Sequence, residues 1–183
     1  KSKFGAVRLE ALPHASLPEK ASGRAKDGRF AIAEVDVEIV SLMDSGDAKK
    51  VVFRRGEGDV FETESNADAA VDGDADTSWV PSKEERQHPL SATFIPVDPI
   101  ELNESSVLRI TIRQDSGFSF RATLGRFRLS VTGDDRVRSR MAPIESTNWH
   151  AVGPFPAVTP ADAYKQAFGP EAEIEKGVDK KKS

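Results

Sequence analysis

A chain of 183 residues, 38% hydrophobic and 31% charged, is long enough for one domain with a proper core and short for two. A formal net charge of −4 with dispersed basic residues argues against nucleic-acid binding. Zero cysteine excludes disulfides, thiol catalysis and thiolate metal sites while leaving the compartment open, and the lack of any long apolar run or visible signal peptide predicts no membrane insertion.

Val7, Leu9 and Ala11 alternate with Arg8 and Glu10 and predict a half-buried first strand ending at Pro13. Residues 13–28 carry Pro, Ser, Gly and Lys with little apolar content and read as a long surface loop. Phe30 to Val40 is the strongest strand signal, yet its parity changes midway: Phe30 and Ile32 share one face, Val35, Val37 and Ile39 the other. A bulge near Ala33-Glu34 reconciles the halves and turns Glu34 inward or sideways, where a carboxylate needs a partner. The turn Asp44-Ser45-Gly46-Asp47 then leads to a strand at Val51-Val52-Phe53.

Asn66 to Val80 packs Asp68, Asp72, Asp74 and Asp76 around Gly73 and closes on Thr77 and Trp79. Crowded carboxylates repel unless water or a cation screens them, and hard oxygens on a turning backbone suit calcium. A solvated acidic turn is the alternative. An EF-hand is not: Asp72, Asp74 and Asp76 copy its first three ligand positions, but Gly stands second and the twelfth residue is Lys83.

Lys83 to Pro89 reads as polar and exposed, after which Leu90, Ala92 and Phe94 alternate up to Pro96. Leu108, Ile110 and Ile112 oppose Arg109, Thr111 and Arg113, while Phe127, Leu129 and Val131 face in against Arg126 and Arg128, expected partners of acids on a neighbouring strand. Strands separated by turns, without helical periodicity before residue 133, predict an all-β, antiparallel β-sandwich over residues 4–133. Residues 134–183 read as a linker or strap with a short helix at about 160–168, capped by Thr159 and Pro160, and a disordered tail. Lys1 is not an initiator Met and the chain ends Lys180-Lys181-Lys182-Ser183, as in a processed chain or an excised segment.

The run Ala69-Ala70-Val71-Asp72-Gly73-Asp74-Ala75-Asp76-Thr77-Ser78-Trp79 resembles the A-x-DG-x-x-x-T-x-W loop of galactose-binding-like jelly-roll sandwiches, which include discoidin domains and many carbohydrate-binding modules. Leu9 to Pro18, Gly23-Arg24-Ala25, Gly28-Arg29-Phe30, Ala33-Glu34-Val35 and Leu124 to Thr132 are together similar to the sandwich module of large secreted planctomycete proteins that carry cytochrome c-type domains. With no Cys-x-x-Cys-His, no haem attaches covalently here. The resemblance implies an extracytoplasmic chain, neighbouring domains as partners, and a structural calcium site. That site would use the carbonyls of Ala69 and Asp74, the side chains of Asp72 and Thr77, and Glu34 with Ala33 from an Ala-Glu-apolar-x-apolar strand. In discoidin domains that strand comes last, whereas here it precedes the loop.

Nothing points to catalysis. His14, His88 and His150 lie far apart, and no Gly-x-Ser-x-Gly elbow, phosphate-cradling loop or dinucleotide fingerprint is present. One expectation is therefore a non-catalytic module that binds a polysaccharide or glycan through loop residues Arg86, His88, Arg113, Gln114, Phe118 and Phe120, which combine aromatic faces with planar polar groups. Packing beneath a hairpin is the alternative for Phe118 and Phe120. The other expectation is a structural module that spaces or docks neighbouring domains without binding glycan.

Overall fold

A computed structural model of the chain describes residues 1–43, 48–58, 67–82, 84–114, 122–139, 149–151 and 155–156. Its strands are β1 (Ser2–Phe4), β2 (Ala6–Ala11), β3 (Glu34–Ser41), β4 (Ala48–Lys50), β5 (Phe53–Gly58), β6 (Leu90–Pro96), β7 (Ile100–Leu102), β8 (Ser106–Arg113), β9 (Arg126–Thr132), β10 (His150–Ala151) and β11 (Phe155–Pro156). Among the described residues one short helix, α1 (Asp135–Ser139), accompanies them with a few 3-10 turns. Every strand pair is antiparallel. The fold is all-β. Among the described residues no helix is long and apolar enough to cross a membrane.

The largest sheet runs β10-β9-β2-β6-β5, with β11 also on β9; a second runs β4-β3-β8, and β1 pairs with β7. The inward residues follow from strand periodicity. Val7, Leu9 and Ala11 of β2, Leu90, Ala92 and Phe94 of β6 and Leu129 of β9 join Val35 and Val37 of β3 in one buried cluster, with Leu108, Ile110 and Ile112 of β8 packed against it. Each fully buried Leu, Val or Phe in such a cluster is worth about 1.5–3 kcal/mol. On the other face of the large sheet, Ala6 and Ile95 pack with Val137 of α1 and with Trp149, so β6 is buried along its whole length.

Several expectations change. Residues 13–28 do not all skim the surface: Ala21 and Ser22 are fully buried, because backbone bonds tie Ser22 to Arg86, Gly125 to Ser22 and Arg24 to Thr123. Nor is Lys83 to Pro89 wholly exposed, since a 3-10 turn at Glu85–Gln87 buries Arg86. The strand expected at Val51 starts at Phe53 instead, and Val51 donates its N–H to Val37. After Gly133, α1, Trp149, β10 and β11 lie on the large sheet. The turn at 44–47, the helix at 160–168 and the tail fall outside the described residues.

Candidate functional site: an oxygen-lined loop against β3

The loop opens with a 3-10 turn, Ala67–Ala70, and closes on Trp79, which is buried with Phe30 at a 5.3 Å ring separation and an 81° interplanar angle. Ile32 and Trp79 exchange backbone bonds of 3.0 and 2.9 Å, fixing the loop's end beside the start of β3. Its start is fixed by Asp68, whose Oδ1 accepts the Gly56 N–H at 2.5 Å. No role for Asp68 is expected from the residues around it. Nothing local marks a partner twelve residues upstream.

Between these anchors the aspartates fold the chain back on itself. Asp72 Oδ1 accepts the Asp74 N–H at 2.8 Å and Asp74 Oδ1 accepts the Asp76 N–H at 2.9 Å, two successive Asx turns. Gly73 sits between them with φ of +83°, a conformation that glycine takes at little cost. The result gathers oxygens around Thr77. Its Oγ1 lies 2.8 Å from Asp72 Oδ2, 3.0 Å from the Asp74 carbonyl and 3.2 Å from the Ala69 carbonyl. A hydroxyl carries one proton, so it cannot satisfy all three acceptors at full strength. The cluster is rich in acceptors and poor in donors.

Glu34 closes the site from the sheet. It is 6% exposed, its carboxylate takes the Gly73 N–H, and Oε1 has no hydrogen-bond partner among the described residues. Burial raises its pKa above the ordinary carboxylate range, and the charges of Asp36 and Asp72 push the same way against the Gly73 N–H and Lys50. The parity break at Ala33-Glu34 has a structural counterpart. Glu34 stands opposite Arg113 in the β3–β8 ladder, and the Ala33 N–H also bonds the Arg113 carbonyl at 2.9 Å, the two-against-one count of a bulge.

Ala69, Asp72, Asp74, Thr77 and Glu34 are thus brought together from distant parts of the sequence. Ala33 is buried beside Glu34 and reaches the loop through Ile32. Two carboxylates, one hydroxyl and two carbonyls form a set of hard oxygens able to hold a divalent cation such as calcium. Among the described residues no three His, Cys, Asp or Glu side chains are arranged to hold a metal ion by themselves, so such an ion would depend on the carbonyls.

Of the residues expected to contact a sugar, Arg86, Arg113 and Gln114 have partners within the fold. Arg86 is buried and committed: Nε bonds the Ser82 carbonyl at 3.1 Å, and Nη1 bonds the Asp27 carbonyl at 2.8 Å and its carboxylate at 3.1 Å. Its place on the ligand surface is therefore withdrawn. Gln114 Oε1 accepts the Leu124 N–H at 2.5 Å, and Arg113 pairs with Asp36 at 2.7 Å while remaining half exposed. His88 is exposed. Phe118 and Phe120 lie outside the described residues.

In comparison with known proteins, no family model, no curated protein and no solved structure matches the chain.

Proposed function

We propose that this chain is a non-catalytic β-sandwich module of the jelly-roll, galactose-binding-like type, clasped by a structural calcium ion and binding carbohydrate on behalf of a larger extracytoplasmic protein. The observation that carries this reading is the set of acceptor oxygens around Thr77, faced by the buried Glu34. A core shared by two antiparallel sheets supports the sandwich. Asp72, Thr77, Glu34 and the carbonyls of Ala69 and Asp74 would hold the ion. Its positive charge would neutralise the two carboxylates and join the loop to β3. Calorimetric titration with calcium tests the clasp, with saturable binding expected; the absence of both binding heat and a change in melting temperature would overturn it.

The alternative, a module that spaces or docks domains without binding glycan, draws support from Arg86 and Gln114, whose polar groups serve the fold instead of a ligand. Affinity electrophoresis on a panel of polysaccharides separates the two. Retardation on at least one polymer is expected, and uniform mobility on all of them refutes the carbohydrate reading.

A further inference from the structure

We propose that the outer edge of β4, with the cavity beside it, docks an extended peptide segment of a partner protein that carries an aliphatic side chain and, two residues away, a carboxylate. The inference goes beyond the carbohydrate reading and does not depend on it. β4 stands at the end of its sheet, and among the described residues no strand lines its outer side. Val51 donates its N–H to the Val37 carbonyl at 2.8 Å, and the register sets Lys49 opposite Ile39. Hydrogen-bonded pairs alternate along an antiparallel ladder, so Ile39 and Lys49 form the next bonded pair, and the amides and carbonyls of Ala48 and Lys50 point away from β3. Ala48, Lys49 and Lys50 are all exposed. Such an open row of backbone donors and acceptors takes another polypeptide as an added strand.

The cavity supplies the selectivity. It holds about 270 Å³ and is lined by Lys49 together with Ile39, Val51 and Ile100. Val52 and Val97 line it as well while remaining 65% and 41% exposed, and the Val97 N–H holds them together through the Val52 carbonyl at 2.8 Å. No aromatic ring borders this space, so it offers a sugar no stacking face, whereas a Leu or Ile side chain finds apolar contact there. Lys49 shares the face of Ile39 and Val51, so residues two apart on an added strand meet the Lys49 ammonium and the cavity in turn. Lys50 is already held by Asp36 at 2.9 Å, while among the described residues no carboxylate pairs with Lys49. An acid on the incoming strand would supply that counter-ion. Asp98, between β6 and β7, borders the same cavity and disfavours a second acid there.

An array of hexapeptides, with acidic, basic, aliphatic and polar residues varied at every position and probed with the full chain, tests the docking, with Val52→Asp and Lys49→Glu as variants. Both side chains are exposed, so both variants are expected to keep the wild-type melting temperature. The expected result is binding of peptides with Leu, Ile or Val two residues from Asp or Glu, weakened about tenfold or more in Val52→Asp. Lys49→Glu is expected to shift the preference to peptides with Lys or Arg in place of the acid. No peptide bound, binding that needs no aliphatic residue, binding that folded Val52→Asp keeps, or an acid preference that Lys49→Glu leaves unchanged overturns the docking. Hydrogen exchange of the wild-type chain gives a second readout should a variant fail to fold: the bound peptide is expected to slow exchange at the Ala48 and Lys50 amides, and unaltered exchange there overturns the added strand.

Discussion

Replacing Glu34 with Gln separates a cation clasp from an acidic turn, because the two predict effects of different kinds. In chelator the wild-type chain holds a buried carboxylate with one oxygen unpartnered, beside Asp72 and Asp36. An unsatisfied buried polar group costs about 1–3 kcal/mol, so Glu34→Gln, which removes the charge and keeps the shape, is expected to stabilise the calcium-free protein by about that much. With calcium at a hundred times its dissociation constant the wild type gains about 2.7 kcal/mol. At about 2–4 °C per kcal/mol for a chain of this size, the melting temperature rises by about 5–10 °C. Glu34→Gln loses most of that response. The pH dependence has a definite sign. A raised folded pKa means that the folded state keeps a proton the unfolded state releases, so in chelator the Glu34 contribution to stability is greatest at low pH and is lost as pH rises through the raised value. Calcium, which binds the ionised form, offsets the fall. Melting curves of both proteins at several pH values, with calcium and with chelator, are the assay. A destabilised Glu34→Gln in chelator, or equal calcium shifts in both proteins, would refute the reasoning.

Two glycines in and near the loop should respond differently. A Cβ on Gly56 would lie 2.4 Å from the Ala67 carbonyl oxygen, so Gly56→Ala forces backbone apart and costs about 1–3 kcal/mol. A Cβ on Gly73 meets nothing within 4 Å, and only its positive φ is penalised, at about 1 kcal/mol. Denaturant melts that rank the two in the opposite order count against this packing. Arg86→Ala strands the Ser82 and Asp27 carbonyls and is expected to cost about 1–3 kcal/mol while leaving any polysaccharide retardation intact; lost retardation in a folded variant would return Arg86 to the ligand surface. The bidentate bond from Arg128 depresses the Glu10 pKa against the opposing effect of burial, so its stabilisation is present at neutral pH and lost as pH falls from the ordinary carboxylate range through the lower folded value. Glu10→Gln flattens that part of the pH–stability curve, and an unchanged acid limb means the pair contributes nothing.

What could be read without coordinates was local or periodic. Alternation located β2, β6, β8 and β9, and the parity break at Ala33-Glu34 pointed to the buried Glu34 because an uneven period leaves a physical trace in the residues themselves. The turn at Asp72-Gly73 was legible from its local composition, and the meeting of Asp72 with Thr77 from the resemblance of the loop. Asp68 holding Gly56, Asp27 holding Arg86 and Arg8 lying against Trp149 were not. Each joins residues whose neighbours in the chain give no hint of a partner, and register alone brings them together. The strand at Ser2–Phe4 escaped notice because three residues are too few to show a period.

The outer edge of β9 is occupied by β10 and β11, each contributing only two residues to the ladder. A boundary at Gly133, where composition changes, would remove both and leave that edge presenting a row of unpaired amides. It would also strip Trp149 and Val137 from Ala6 and Ile95, uncovering apolar surface beside the same edge. An exposed edge next to an apolar patch invites pairing with another chain. A fragment intended to remain monomeric at high concentration must therefore extend at least through Pro156, well beyond the last strand that alternation reveals.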